Sequence, residues 1–265
     1  MTEIKPDILK EIQKLQDFYR NDPQQKKFNI LFTGESGTGK TFFLRTCRKP
    51  IHIDSFDPGG SKCLRDHIDK GEIVVDSSYE SENPKNPDAF KRWKANFDWR
   101  EKSGYFEHFG TYCLDSSTTW SDAIMNYVLS KAGIAGEAPR FTKDYTPQKI
   151  EIRNWVKRIL DLPCDVIHTG HLELKEDPER GHIFRLLTTG KGSVTLPLLF
   201  DEIWVTKTKS TSNGTEYQIL TQSNGLYMAR SRLAKDGLLN PIEVPDMKAL
   251  RKKVGLSTED KPLFK

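Results

Sequence analysis

The sequence predicts an α/β fold built on a mostly parallel, doubly wound sheet with a C-terminal β-hairpin region. Three observations carry this. Short apolar runs of strand length alternate with helix-period segments between residues 28 and 168, the order of repeated β-α-β units. A glycine-rich octapeptide, Gly34 to Thr41, sits between the first such run and a helical segment. From about residue 194 the pattern becomes two β-rich runs, Thr195 to Lys207 and Glu216 to Gln222. They flank the hairpin signal Ser212-Asn213-Gly214.

The elements follow in order. Ile4, Ile8, Ile12, Leu15 and Tyr19 recur at helical spacing among charged residues, and Asn21-Asp22-Pro23 ends that helix. Phe28 to Phe32 is the first strand. A helix is expected over 41–48, stopped before Pro50. Ile51-His52-Ile53 and Ile73-Val74-Val75 are the next strands, the former closed by the turn Asp57-Pro58-Gly59-Gly60. Asn83-Pro84 and Asn86-Pro87 precede a helix over 87–102, where Trp93 and Phe97 share a face and read as packing residues. Tyr112 to Asp115 is a strand ending in an acid. Helices follow around Trp120 to Val128 and Ile152 to Leu160, then the strand Val166-Ile167-His168. Leu172 to Val194 reads as a mixed-charge loop, and Met247 to Val254 as a short basic helix.

The 265 residues are enough to bury a core without disulfides or metals. The four cysteines are scattered with no C-x-x-C, which argues against a zinc site or a disulfide framework. No run of 18 apolar residues exists, so no membrane partner is expected. The start, Met1 to Pro6, lacks the order of a leader peptide, and a cytoplasmic location is expected. The net charge of +4 on 41 basic and 37 acidic residues excludes neither nucleic acids nor small substrates.

Gly34-Glu35-Ser36-Gly37-Thr38-Gly39-Lys40-Thr41 matches G-x-x-x-x-G-K-[ST] in the strand–loop–helix context that the motif needs. Its glycines let backbone N–H groups turn inward around phosphate oxygens, and a helix N-terminus adds positive potential. Lys40 would reach the β- and γ-phosphates, and the Thr41 hydroxyl would ligate Mg²⁺. Phe42, the next residue, completes the nucleotide-binding set. The cofactors expected are ATP and Mg²⁺.

Two carboxylates compete for the metal side. Asp115 closes a compact apolar strand followed by a helix, which places it at the carboxyl end of a parallel strand. Asp201-Glu202 follows Leu198-Leu199-Phe200 and looks like the apolar-run-then-Asp-Glu pattern of AAA+ motors. It ranks lower, because Pro197 sits inside the run and central strands avoid proline. The plainer reading there is an edge-strand pair facing solvent. Asp54 and Asp57, after the strand that follows the phosphate loop, offer a base.

Taken together, these motifs resemble the RecA-like recombinase ATPase core, and among its members the short phage-encoded proteins of single-strand annealing and recombination. The residues that carry the likeness are the phosphate loop, Ile53 to Gly60, Asp115-Ser116-Ser117, His168-Thr169-Gly170-His171 and Arg230-Ser231-Arg232. It covers roughly residues 28 to 233. The family's usual catalytic Glu is replaced here by Asp57 or Asp54. The resemblance implies a RecA-like P-loop NTPase fold: an N-terminal helical arm over 1–27, an ATPase core over 28–239 and a tail over 240–265. It also implies that Asp115 orients Mg²⁺ and that Asp57, with Asp54 in reserve, positions water. His171 would sense the γ-phosphate, and Arg230 or Arg232 would reach a neighbour's nucleotide.

The resemblance further implies single-stranded DNA as substrate, touched by the loop after His171 through Arg180, Arg185 and Lys191, with Phe184 for stacking. Self-association into a ring or filament, a single-strand binding protein as partner, and the cytoplasm of a host cell complete that picture. The alternatives are a P-loop kinase of a small molecule and an AAA+ type remodelling ATPase.

Overall fold

The computed structural model describes residues 4–178, 181–188, 192–233 and 237–264. Among the described residues nine strands form one sheet, and its parallel part is built from β1 (Asn29–Gly34), β2 (Ile51–Ser55), β3 (Ile73–Asp76), β4 (Thr111–Asp115), β5 (Asp165–Asp177) and β7 (Glu202–Thr211). Their order is β3-β2-β4-β5-β1-β7, and every neighbouring pair in it is parallel. The sheet continues antiparallel through β8 (Gly214–Leu220) to β9 (Ile242–Glu243), while β6 (Gly181–Leu186) pairs with the outer half of β5 and makes a single bridge to Tyr227.

Strand periodicity assigns each apolar side chain to a layer. Leu31, Tyr112, Leu114 and Val166 face one core. It is filled by α4 (Ala89–Lys102), α5 (Ser117–Lys131) and α6 (Tyr145–Leu160). Ile30, Phe32, Ile51, Ile53, Cys113 and Ile167 face the other. That layer receives Phe43 of α2 (Lys40–Phe43), Ile68 of α3 (Arg65–Asp69), and Met247 and Leu250 of α8 (Met247–Lys253). The sheet is therefore doubly wound, as its β-α-β pattern predicts. Trp93 and Phe97 are fully buried, with Trp93 packed edge-on against Trp155 at 4.9 Å between ring centroids. The tail docks on its own domain: Arg251 is buried and bonds Asp165 at 2.5 Å.

Several expectations need correction. The helix after the phosphate loop is a single turn that tightens to 3₁₀ over Leu44–Thr46. The segment after His171 is not a loop, because β5 runs on to Asp177 and returns as β6. Thr195 to Phe200 is not β-structure. Gly192–Thr195 forms a helical turn, α7, and Pro197 opens a 3₁₀ turn, a position where its missing N–H costs nothing. In α1 (Pro6–Asn21), by contrast, the helix stands where its periodicity puts it, but no residue of it is buried.

Candidate nucleotide site

The site lies at the carboxyl ends of β1, β4 and β5. Gly34 closes β1 where a Cβ would come within 2.5 Å of Thr206 Cγ2, so the close approach of β7 requires glycine there. Gly37 and Gly39 have φ of 76° and 88°, which turn the loop's N–H groups to one side. Because α2 is one turn long, the loop's own amides supply the anion cradle, more than any helix dipole. Thr38 Oγ1 donates to the Glu35 carbonyl (2.8 Å), and Thr206 Oγ1 donates to the Thr38 carbonyl (2.6 Å). Both bonds hold the loop's shape.

Lys40 is buried, and its ammonium donates to the carbonyls of Gly34 (2.9 Å) and Glu35 (2.8 Å). One of its three donors remains for a phosphate oxygen. Burial lowers its pKa, and the charges of Asp115, Asp57 and Glu35 oppose that shift.

Asp115 is 2% exposed. The Thr41 hydroxyl donates to its Oδ2 at 3.0 Å, and the Thr169 hydroxyl to its Oδ1. Burial pushes this carboxyl up, although both hydroxyls favour its charged form. A buried carboxylate beside a Thr hydroxyl fits Mg²⁺, which takes one or two protein oxygens and leaves its other positions to phosphates and water. Among the described residues no cluster of three His, Cys, Asp or Glu could hold a metal by itself. Thr41 and Asp115 are the residues that would hold it.

Asp57 and His171 form the second half. Asp57 Oδ1 accepts from Ser116 Oγ (2.9 Å) and Thr119 Oγ1 (2.6 Å), and Oδ2 lies 3.0 Å from His171 Nε2. Burial alone would raise this carboxyl, but the hydrogen bonds from His171, Thr119 and Ser116 outweigh it and hold it below the usual carboxylate range. Such a group orients a water through its remaining lone pair better than it removes a proton. Gly60 packs between the two acids: a Cβ there would sit 3.4 Å from both Asp115 Oδ2 and Asp57 Cβ. Glu80 pins the turn by accepting from Ser55 Oγ (2.7 Å) and Gly59 N (2.9 Å).

Other sequence candidates lie elsewhere. Asp54 is no reserve base. Strand alternation turns it under α4, where it is fully buried and receives Trp93, Tyr112 and Arg100 at 2.8 Å each, with His52 at 2.9 Å. Asp201 and Glu202 lie at the amino end of β7, about 15 Å of strand below the phosphate loop. The expectation of an edge-strand pair facing solvent is corrected: β7 is an interior strand, Pro197 precedes it, and Glu202 is buried and accepts from Trp204 Nε1 (2.8 Å).

Arg230 and Arg232 lie at that same end. Arg230 donates to the Phe200 carbonyl (2.7 Å), and Arg232, more exposed, pairs with Asp201 (2.7 Å). Neither reaches this chain's own phosphate loop. Arg180 and Lys191 lie outside the described residues. Arg185 is paired with Asp177 across the hairpin (2.7 Å), and Phe184 already stacks face to face on Tyr227 at 4.8 Å. Tyr227 therefore covers one face of the Phe184 ring.

Sequence reasoning missed Thr169, Thr119, Ser116 and Glu80. The hydroxyl row Ser116 to Thr119 after Asp115 was a visible signal. Thr169 needed the β4–β5 adjacency.

A family description matches residues 26–233, more than half of the chain, and it is that of an AAA domain, AAA_24. The chain belongs to this AAA domain family. It is thus a P-loop ATPase of the AAA type. Phosphate loop, Asp115 and the pair Asp57–His171 all fall within the matched span. No curated protein matches the chain. A solved KaiC-like protein from the hyperthermophilic archaeon Pyrococcus horikoshii OT3 is similar over 73% of this chain and 78% of its own, at 13% identity and a TM-score of 0.39. Among the described residues no helix is long and apolar enough to cross a membrane.

Proposed function

We propose that this AAA domain protein is a Mg²⁺-dependent ATPase that works on single-stranded DNA, in recombination or annealing of the phage type, as a self-associated ring or filament. One observation carries the reading. His171, bonded to Asp57 at the γ-phosphate side, sits in the strand that runs on into the β5–β6 hairpin. A change at the γ-phosphate would therefore be felt directly at the base of an arm that leaves the sheet.

In this mechanism Lys40 and the loop amides neutralise the β- and γ-phosphates. Thr41 and Asp115 hold the metal, which supplies charge at the phosphates when bound. Asp57 orients the attacking water, and His171 holds Asp57 in place. These groups act by position and charge, which is what phosphoryl transfer asks of a protein. DNA contact falls to the β5–β6 hairpin, where Arg185 would exchange Asp177 for a phosphate; the other two basic candidates, Arg180 and Lys191, lie outside the described residues. A single-strand binding protein is the natural partner for such an activity.

The AAA-type remodeller is the second reading, and the family name favours it. Against it, the residue after Asp115 is Ser116 where such motors carry Glu.

The test is ATP turnover with and without single-stranded DNA, at low salt and over a salt titration. Turnover that rises with DNA, and DNA binding that weakens with salt, is expected. Absence of DNA binding at low salt, with phosphate transfer to a small molecule, would overturn the proposal.

A further inference from the structure

An amphipathic helix draws most of its stability from burying its apolar face, and a short one alone in water is marginal. In α1 that face is bare. Ile8, Ile12, Leu15 and Tyr19 line one stripe at helical spacing and are 42% to 63% exposed. Asp7 and Glu11 run along one flank of the stripe, four residues apart, and Lys14, 3.8 Å from Glu11, lies further round. The turn after α1 fixes the direction in which the helix leaves the domain. Asp22 Oδ1 accepts from Gln24 N (2.9 Å), and Pro23 opens a 3₁₀ turn. Lys27 is then tied to the carbonyls of Leu160 and Leu162 at 2.5 Å each. Folding α1 back onto its own domain would break that turn.

A surface of matching character runs along α6. Two cavities, of about 870 and 250 Å³, adjoin through Leu198 and Leu199, which line both. Leu198 is 60% exposed. On the α6 wall Lys149, Arg153 and Lys157 stand every fourth residue, all exposed, and none has a carboxylate partner among the described residues. Gln148 Nε2 donates to the Ser121 carbonyl near the start of α5 (2.8 Å), so the Lys149 end of this groove lies toward the carboxyl ends of the strands. The Lys157 end lies at their amino ends, where α1 departs. Head-to-tail packing would therefore bring α1 of one copy to the Lys149 end of its neighbour's groove. An apolar stripe beside acids would meet an apolar floor beside bases, which is how a helix is recognised in a groove.

We propose that α1 docks in the groove between α6 and α7 of a second copy of this chain. Its apolar stripe lies on Leu196, Leu198 and Leu199, and Asp7 and Glu11 lie against Lys149 and Arg153. This rests on the self-association in the function proposed above and gives it a contact. Each subunit offers one helix and one groove at different places, so the contact is heterologous and passes from copy to copy.

Sedimentation equilibrium of the full chain, with and without ATP, tests this on wild type and two double variants. One reverses the helix flank (Asp7→Arg with Glu11→Arg), and the other reverses the groove wall (Lys149→Glu with Arg153→Glu). Wild type should self-associate, and each variant alone should do so at least about tenfold more weakly. An equimolar mixture of the two should recover, because each helix then finds a groove of opposite sign. Recovery also shows that both variants are folded. Ile12→Asp, which places a charge in the stripe, should weaken association as well. Variants that associate as wild type does, or a mixture that stays dissociated, would overturn the proposal and leave self-association to other surfaces. Wild type that stays monomeric at every concentration would overturn it together with the self-association reading. A reversed groove wall that associates normally but no longer binds a single-stranded oligonucleotide would make the basic row a nucleic-acid contact, and the proposal would fail.

Discussion

At the residue scale, the decisive feature is how two aspartates three positions apart receive opposite fates. Ile51 and Ile53 face the α2 side of the sheet, so His52 and Asp54 face α4, and Asp54 becomes a core ion held by Arg100. Asp57 lies beyond the strand end and escapes that alternation. Arg100→Leu should therefore leave Asp54 short of its charged partner in the core and cost about 3–5 kcal/mol of stability by chemical denaturation, with nucleotide affinity of the folded protein unchanged.

His168 makes a second residue-scale prediction. It is fully buried beside Trp120 and Phe200, and burial pushes its pKa down to about 3 from the usual 6.5. The unfolded chain thus binds a proton in the window where the folded one does not. Stability present above pH 6.5 should be lost as pH falls toward 3. A His168→Gln variant should show a shallower decline across that window in urea titrations, and an unchanged slope would contradict the assignment.

At the element scale, the β5–β6 hairpin is clasped to the phosphate loop through aromatic rings. Phe184 stacks on Tyr227, whose hydroxyl donates to Glu35 (3.3 Å). Such a stack contributes about 0.5–1.5 kcal/mol. Phe184→Ala should speed amide hydrogen exchange in residues 172–186 by several-fold while leaving exchange in β1 and β4 untouched. Equal rates in wild type and variant would mean the clasp does not restrain the hairpin.

This same hairpin shows where the sequence was hard to read. Leu172-Glu173-Leu174-Lys175 alternates as a strand should, but its many charges and the exposed Leu174 hid the pattern behind a loop composition. The opposite error occurred at Thr195 to Phe200, where apolar β-formers run into a helical turn because Pro197 is suited to open one. Strands buried on both faces, such as Phe28 to Phe32, were legible from apolar content alone. Within the site, Lys40, Thr41 and Asp115 stood out because each opens a helix or ends a strand, and Asp57 and His171 because they follow apolar strand runs. Thr169 and Glu80 were not, since their partners are 54 and 21–25 residues away and depend on strand order.

At the scale of the whole molecule, the phosphate loop and the Arg230–Arg232 segment occupy opposite ends of the sheet. If either arginine serves a neighbour's nucleotide, subunits must pack head to tail. That packing closes into a ring or runs on as a filament. Arg232 suits the role better, being exposed beside Asp201, whereas Arg230 is held on the Phe200 carbonyl. The near-neutral charge of +4 fits such an assembly, since weak basic arms gain by repetition along one strand. Lys40→Ala and Arg232→Ala subunits, each inactive alone, should regain partial ATP turnover when mixed. No recovery would remove the in-trans arginine.

In the proposed mechanism, metal binding and water positioning are divided between Asp115 and Asp57. Single-turnover ATP cleavage by Asp57→Asn, measured alongside ATP affinity, tests it most directly. Affinity should stay within a few-fold of wild type while cleavage slows by about a hundredfold or more. Cleavage by Asp57→Asn at the wild-type rate would mean that Asp57 does not position the water.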